Sequence, residues 1–192
     1  MTNTESGGDE MVAAVLDLLP RGRSDDDRPQ HQKEPLAFVL DIDEFYLYEL
    51  VLDDDHDVSI GDRIDLTAFG RVNEIEYEDL PSSAQSELDY AVEEIVEADE
   101  QRFVDFYNDA QPITLRLHQL NLLPGIGKKL RNTILDERKR QPFESFEELE
   151  ERVSGLHNPK EVLVERILEE LREDDLKYRT FVRRSEQGET DS

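Results

Sequence analysis

The chain has 192 residues, 48 of them acidic and 22 basic, for a formal net charge of −26. That length admits one domain or two small ones. The absence of cysteine excludes a disulfide framework and a thiolate metal site, and no apolar run is long enough to span a bilayer. The opening residues, Met1-Thr2-Asn3-Thr4-Glu5, are not a signal peptide, so a cytoplasmic protein with no membrane partner is expected.

The acid is spread through periodic apolar segments rather than gathered in a tail. It resembles the surface of proteins from halophilic archaea, where dense carboxylates keep a protein soluble in strong salt. The alternative is an acidic protein that mimics or repels nucleic acid. Residues 1–10 are polar and Gly-rich and are expected to be disordered. Strands are expected at Met11 to Leu19, Leu36 to Leu40, Phe45 to Leu52, Val58 to Leu66 and Val72 to Tyr77, separated by polar or Gly-containing turns. Five short strands within residues 11–80 suggest a sheet closed on itself, and an OB-like β-barrel is the expected form. Such barrels bind oligonucleotides through aromatic residues, and Phe45, Tyr46 and Tyr48 are the candidates for base stacking. The region has few basic residues, and aromatic residues at strand spacing more often belong to a core.

At Asp79-Leu80-Pro81-Ser82 the period changes to that of a helix, with Ala84, Leu88, Ala91, Val92, Ile95 and Val96 on one face. The apolar pattern continues through Phe103 and Tyr107 toward Ala110 and stops at Pro112. Thr114 is expected to cap a short helix from Leu115 to Asn121. A second helix is expected from about Gly127 to Arg140, ended by Gln141-Pro142. Ser145 and Glu148 form a capping box for the next. Asn158, Pro159 and Glu161 open the last, whose apolar positions are Val162, Val164, Ile167, Leu168 and Leu171. The helical domain is thus expected over 81–176, followed by a basic segment at 177–184, with Lys177, Arg179, Arg183 and Arg184, and a disordered tail at 185–192.

The stretch Leu120-Asn121-Leu122-Leu123-Pro124-Gly125-Ile126-Gly127-Lys128-Lys129 places two glycines around one apolar residue, between two helical segments. Such a turn aims the free amides of the second helix at an anion, with the helix dipole assisting. Lys128 and Lys129 stand where a bound phosphate would lie. From Ile113 to Pro142 the basic residues are Arg116, Lys128, Lys129, Arg131, Arg138, Lys139 and Arg140, against only Asp136 and Glu137. This island carries +5 and leaves −31 for the remainder. The candidate nucleic-acid-binding set is Gly125, Ile126, Gly127, Lys128, Lys129, Arg131, Arg138, Lys139 and Arg140. The pattern from Leu120 to Leu135 resembles the helix-hairpin-helix motif of sequence-independent nucleic-acid binders, taken here as residues 115–140. Arg131 departs from it, since the motif usually has a small residue there. The resemblance also implies a monovalent cation, potassium or sodium, at the backbone carbonyls of Asn121, Leu123 and Ile126. Residues 145–173 resemble a second, degenerate hairpin, in which His157 replaces the second glycine and hinders phosphate approach.

The whole chain from about residue 11 to 182 resembles the DUF655 family of archaeal proteins. The resemblance rests on Val15-Leu16-Asp17-Leu18-Leu19-Pro20, Arg102-Phe103-Val104, Ile113-Thr114-Leu115-Arg116-Leu117-His118, the glycine turn, and Phe143-Glu144-Ser145-Phe146-Glu147. It implies an α+β protein, an OB-like domain joined to tandem helix-hairpin-helix elements, that binds nucleic acid. Family genes lie near an rRNA dimethyltransferase and an RNA polymerase subunit, which leans toward RNA over DNA and toward ribosomal or transcription proteins as partners. His31, His56, His118 and His157 are not paired at metal-ligand spacing. The GxxxxGK spacing of a phosphate-hydrolysing loop is missing. No catalytic residue can be nominated, so the expectation is a binding protein with no cofactor beyond the hairpin cation. The competing expectation is an acidic scaffold for a basic partner such as a ribosomal protein.

Overall fold

A computed structural model describes residues 10–185. Apart from Glu10 and Ser185, the two terminal segments expected to be disordered lie outside the described residues. The architecture is α+β, with strands β1 (Val12–Leu19), β2 (Leu36–Asp41), β3 (Leu47–Val51), β4 (Arg63–Asp65) and β5 (Val72–Glu74). Five helices follow: α1 (Ser82–Ala98), α2 (Glu100–Asp109), α3 (Lys128–Arg140), α4 (Phe146–Arg152) and α5 (Pro159–Arg172). Among the described residues no helix is long and apolar enough to cross a membrane.

Two compact units emerge, Met1–Ala91 together with Val182–Ser192, and Val92–Phe181. The boundary expected at residue 80 therefore moves into α1, which begins in the sheet unit and ends in the helical unit. Its start is tied to β1 by Ser83, whose hydroxyl donates to the Asp17 carboxylate. The basic segment expected at 177–184 is split between the units. Phe181 packs its ring on Phe106, 4.9 Å away, in the helical unit. In the sheet unit Val182 is buried, the Arg183 amide donates to the Glu44 carbonyl at 2.8 Å, and Arg184 pairs with Glu76 at 2.7 Å.

The sheet is antiparallel throughout, in the order β4-β1-β2-β3-β5. β1 and β2 are central and buried on both faces, which is why they read as apolar runs rather than alternating strands. A bulge between Val15 and Asp17 shifts the register of β1, so that Leu18 joins Ala13 and Val15 in one core cluster with Ala37, Val39 and Leu50. The expected barrel is not formed: β4 and β5 remain edges. Both are three residues long, and both run opposite to strands that share a direction, so closure would require a parallel pair. Neighbouring parallel strands need a crossover of roughly a dozen residues, and only Leu66 to Arg71 lie between these two.

In the helical unit the core is built from Val92, Ile95 and Val96 of α1, Phe103, Val104 and Tyr107 of α2, Ile134 of α3, Leu149 of α4, and Leu163, Ile167 and Leu171 of α5, all buried. α1 and α2 are separated at Asp99, whose φ of −129° and ψ of 52° break the helix. The short helix expected from Leu115 to Asn121 is instead a hairpin bridged at Pro112 and His118, followed by one 3-10 turn at Gln119–Leu122. Thr114 Oγ1 does accept the amides of Arg116 and Leu117, at 3.2 and 3.0 Å, but it caps a reverse turn rather than a helix. Ser145 accepts the Glu148 amide at 3.0 Å, as a cap should. The reciprocal bond is displaced by one residue, because the Glu148 carboxylate accepts from Glu144. Asn158 caps nothing through its side chain; it sits at φ 49° and turns the chain into Pro159.

A candidate nucleic-acid interface

The site begins with a buried pair. Leu123 and Ile126 point into the core, and the Ile126 amide donates to the Leu123 carbonyl at 3.2 Å. Between them Gly125 adopts φ 81°, a left-handed conformation that glycine takes without steric cost. Gly127 then serves as the N-cap of α3 with no side-chain hydrogen bond, and the first backbone bond of the helix runs from Arg131 N to Gly127 O at 3.0 Å. The amides of Lys128, Lys129 and Leu130 precede that bond, so they form the open donor set at the helix start. A methyl group added at Gly125 or Gly127 would meet no atom within 4 Å. The space before the helix is open. No acidic residue lies in the first turn of α3, and Lys128 and Lys129 are exposed and make no ion pair among the described residues.

The same turn occurs twice. Val153 and Leu156 are buried, Leu156 N donates to Val153 O at 3.2 Å, and Gly155 has φ 94°. The chemistry around the second copy is opposite. Its helix opens on Pro159, which lacks an amide hydrogen, and a groove of about 440 Å³ beside it is lined by Glu97, Glu100, Glu147, Glu150 and Glu161 against one cation, Lys160, which is paired with Glu93 and Glu97. His157 is exposed where the first turn has Gly127. A phosphate would be repelled there.

Several cations of the basic island have structural work. Arg138 Nη1 donates to the carbonyls of Tyr107 and Ala110, at 3.2 and 2.9 Å, closing the C-terminus of α2. Its guanidinium is partly desolvated, which lowers its pKa. That structural work engages Nη1 of Arg138, whose side chain is half-buried. Arg131 Nη1 donates to Asn121 Oδ1 at 3.1 Å and locks the 3-10 turn to α3, which is how a long side chain is accommodated at a position expected to be small. Arg140 pairs with Glu137 at 3.2 Å yet is 77% exposed, and Lys139 is exposed. Two further arginines outside the island cap helix ends. Arg152 Nη2 donates to the carbonyls of Glu137 and Gln141 below α3, and Arg179 Nη2 to those of Glu173 and Asp174 below α5. Sequence inspection offers no sign of this use, because the partners are backbone atoms.

His118 is buried and neutral in role. Its Nδ1 accepts the Leu120 amide at 3.1 Å, and desolvation, followed by the charges of Arg138 and Arg131, lowers its pKa. Among the carbonyls expected to hold a cation, Leu123 O accepts the Ile126 amide and Ile126 O accepts Asn121 Nδ2 at 3.2 Å. No group of three or more metal-ligating side chains is found among the described residues.

The stacking candidates separate. Phe45 lies outside β3, at φ 61° in the β2–β3 turn, and is 1% exposed, so its ring is core and not a platform. The turn is held by the buried Asp41 carboxylate, which accepts the amides of Asp43 and Glu44. Tyr46 and Tyr48 stack on each other with ring centres 5.9 Å apart and are half-buried. Tyr48 also packs on the sheet core. Burial first, then the charges of Asp41 and Glu74, pushes its phenol up to about 12. That acidic setting opposes a nucleic-acid backbone at the pair.

The family profile described as "Protein of unknown function (DUF655)" matches residues 9–183. The chain is similar to the uncharacterized protein MJ0038 of Methanocaldococcus jannaschii, with 39% identity over 182 residues that cover 91% of this chain and 80% of that one. Its fold is similar to the crystal structure of Af1531 from Archaeoglobus fulgidus, with a TM-score of 0.80 and 41% identity, covering 91% of this chain and all of the other.

Proposed function

The chain belongs to the DUF655 family, and we propose that it grips the phosphate backbone of nucleic acid, RNA ahead of DNA, through a helix-hairpin-helix centred on Gly125 to Lys129. The observation that carries this reading is the uncapped start of α3, where the amides are open, the space at Gly125 and Gly127 is empty, and two exposed lysines make no ion pair among the described residues, on a chain of net charge −26. Anions are held at such helix starts by amides and dipole together. The acidic surface elsewhere fits a protein that works in strong salt, where long-range repulsion is screened within about 3 Å at 1 M. Fluorescence anisotropy with a labelled RNA stem-loop and a labelled DNA duplex tests the reading, comparing the full chain with the double variant Lys128→Ala/Lys129→Ala. The variant should bind more weakly and with a shallower salt slope. Equal binding by both proteins, or none by the wild-type chain, overturns it.

A second reading, an acidic scaffold for a basic partner such as a ribosomal protein, is favoured by the carboxylate-lined groove beside Pro159. It predicts that the lysine variant behaves as wild type.

A further inference from the structure

Residues 111–119 form a tight hairpin that leads directly into the 3-10 turn preceding the glycine loop. Gln119 N donates to Gln111 O at 3.0 Å, and Gln111 N to Gln119 Oε1 at 2.8 Å. The amides of Ile113 and Thr114 both donate to Leu117 O, at 2.7 and 3.0 Å, while Thr114 Oγ1 takes those of Arg116 and Leu117. At the tip of this closed frame Leu115 is 107% exposed, more than any other large apolar side chain described, and Arg116 beside it is exposed as well. The turn holds the backbone of Leu115 in place, so docking would have to order its side chain alone.

The surroundings select what it docks into. A protein interface needs roughly 800 Å² per partner with an apolar centre, whereas the residues flanking Leu115 are the exposed, polar Thr114 and Arg116, and the apolar residues of the hairpin are the small exposed Pro112 and the half-buried Ile113 and Leu117. Nucleic-acid binders instead use single leucines, isoleucines or phenylalanines as wedges between base steps, flanked by cations on phosphates. We propose that Leu115 is such a wedge, inserting beside a base while Arg116 takes the adjoining phosphate, so that the hairpin is a second nucleic-acid contact next to the glycine loop. This rests on the function proposed above and adds a contact to bases where that reading has contacts to backbone only.

The test uses the full chain with an RNA stem-loop and a DNA duplex, each carrying a fluorescent adenine analogue whose emission rises when it unstacks. Wild-type protein should raise the emission on at least one probe. Leu115→Ala should abolish that rise and weaken binding roughly tenfold to a hundredfold, the range expected for burying one leucine. Leu115→Met should restore both, and circular dichroism and thermal unfolding should be unchanged in both variants because the side chain touches no core. A Leu115→Ala protein that binds and unstacks like wild type overturns the wedge while leaving backbone gripping intact. No binding by wild-type protein to either probe overturns both.

Discussion

Gly127→Ser separates the stability of the glycine loop from its chemistry. At this position φ is −92° and ψ −167°, ordinary extended geometry, and an added Cβ meets nothing within 4 Å. Serine therefore fits without strain. It also occupies an N-cap, where its hydroxyl would accept the amide of Leu130, as Ser145 accepts Glu148 at the start of α4. Replacing glycine by serine at an N-cap should stabilise the fold by a few tenths of a kcal/mol. The same bond takes away one of the donors that a phosphate would use. A hydrogen bond to a charged group contributes about 1.5–3 kcal/mol, so affinity should fall about ten- to hundredfold. Denaturant unfolding and anisotropy on the same preparation measure the two effects. A variant at least as stable as wild type that binds equally well would refute the claim that the amides of α3 hold the phosphate. Gly125→Ala cannot make this separation, because forcing a side chain to φ 81° costs about 1–2 kcal/mol in the fold alone.

Glu170→Ala should destabilise the protein by about 3 kcal/mol, because buried Arg166 loses its buried carboxylate and keeps only the Tyr178 carbonyl and the more exposed Glu169, while the amides of Thr180 and Phe181 lose their acceptor; hydrogen exchange at those two amides should accelerate, and unchanged exchange would contradict it. Protonating His118 would fill the lone pair that accepts the Leu120 amide, and its folded pKa is lowered, so its contribution to stability should be complete above about pH 6.5 and lost as pH falls through the lower folded value. His118→Asn keeps an N-cap acceptor that does not titrate, and stability measured against pH should show a shallower acid limb for it than for wild type. If a monovalent ion sits at the carbonyls of Asn121, Leu123 and Ile126, sharing Ile126 O with Asn121 Nδ2, affinity should rise into the molar range with potassium and less with tetramethylammonium. A monotonic loss of affinity with potassium, on protein shown to be folded, would leave only lysine–phosphate pairing.

The sequence announces those elements whose physics is local. β1 and β2 are apolar runs because both faces are buried, and α3 is delimited by Gly127 and by Gln141-Pro142. It misleads where one local signal serves two structures. Thr114 has the hydroxyl of a helix cap, but two amides within three residues satisfy it equally well in a reverse turn. Phe45 continues the aromatic pattern of β3, yet the bonds from Asp43 and Glu44 to Asp41 tighten the turn and swing its ring into the core. The missing barrel closure is decided by strand direction, and the caps made by Arg138 and Arg152 by carbonyls 11 to 31 residues away, which no short window of sequence contains. The turn at Gly125 is legible because tolerance of positive φ belongs to glycine itself, whereas the open space before α3 depends on neighbours that the sequence does not place.

The sheet unit is assembled from both ends of the chain, with Val92–Phe181 inserted between its parts. During synthesis all five strands leave the ribosome before the helical unit, and only the short segment from Val182 remains to be added to the sheet unit after it. Only then can Val182 be buried, Arg184 reach Glu76 and the Ser185 amide reach Glu74. A nascent chain stalled before Val182 would thus carry a complete glycine loop on an incomplete partner domain, with the β5 edge bearing Glu74 uncovered by its own C-terminal residues. Folding the insertion first also shortens the search, because a compact globule replaces a long flexible loop whose closure entropy would otherwise oppose the return. The final residues thus act as the clasp that completes the older half of the chain.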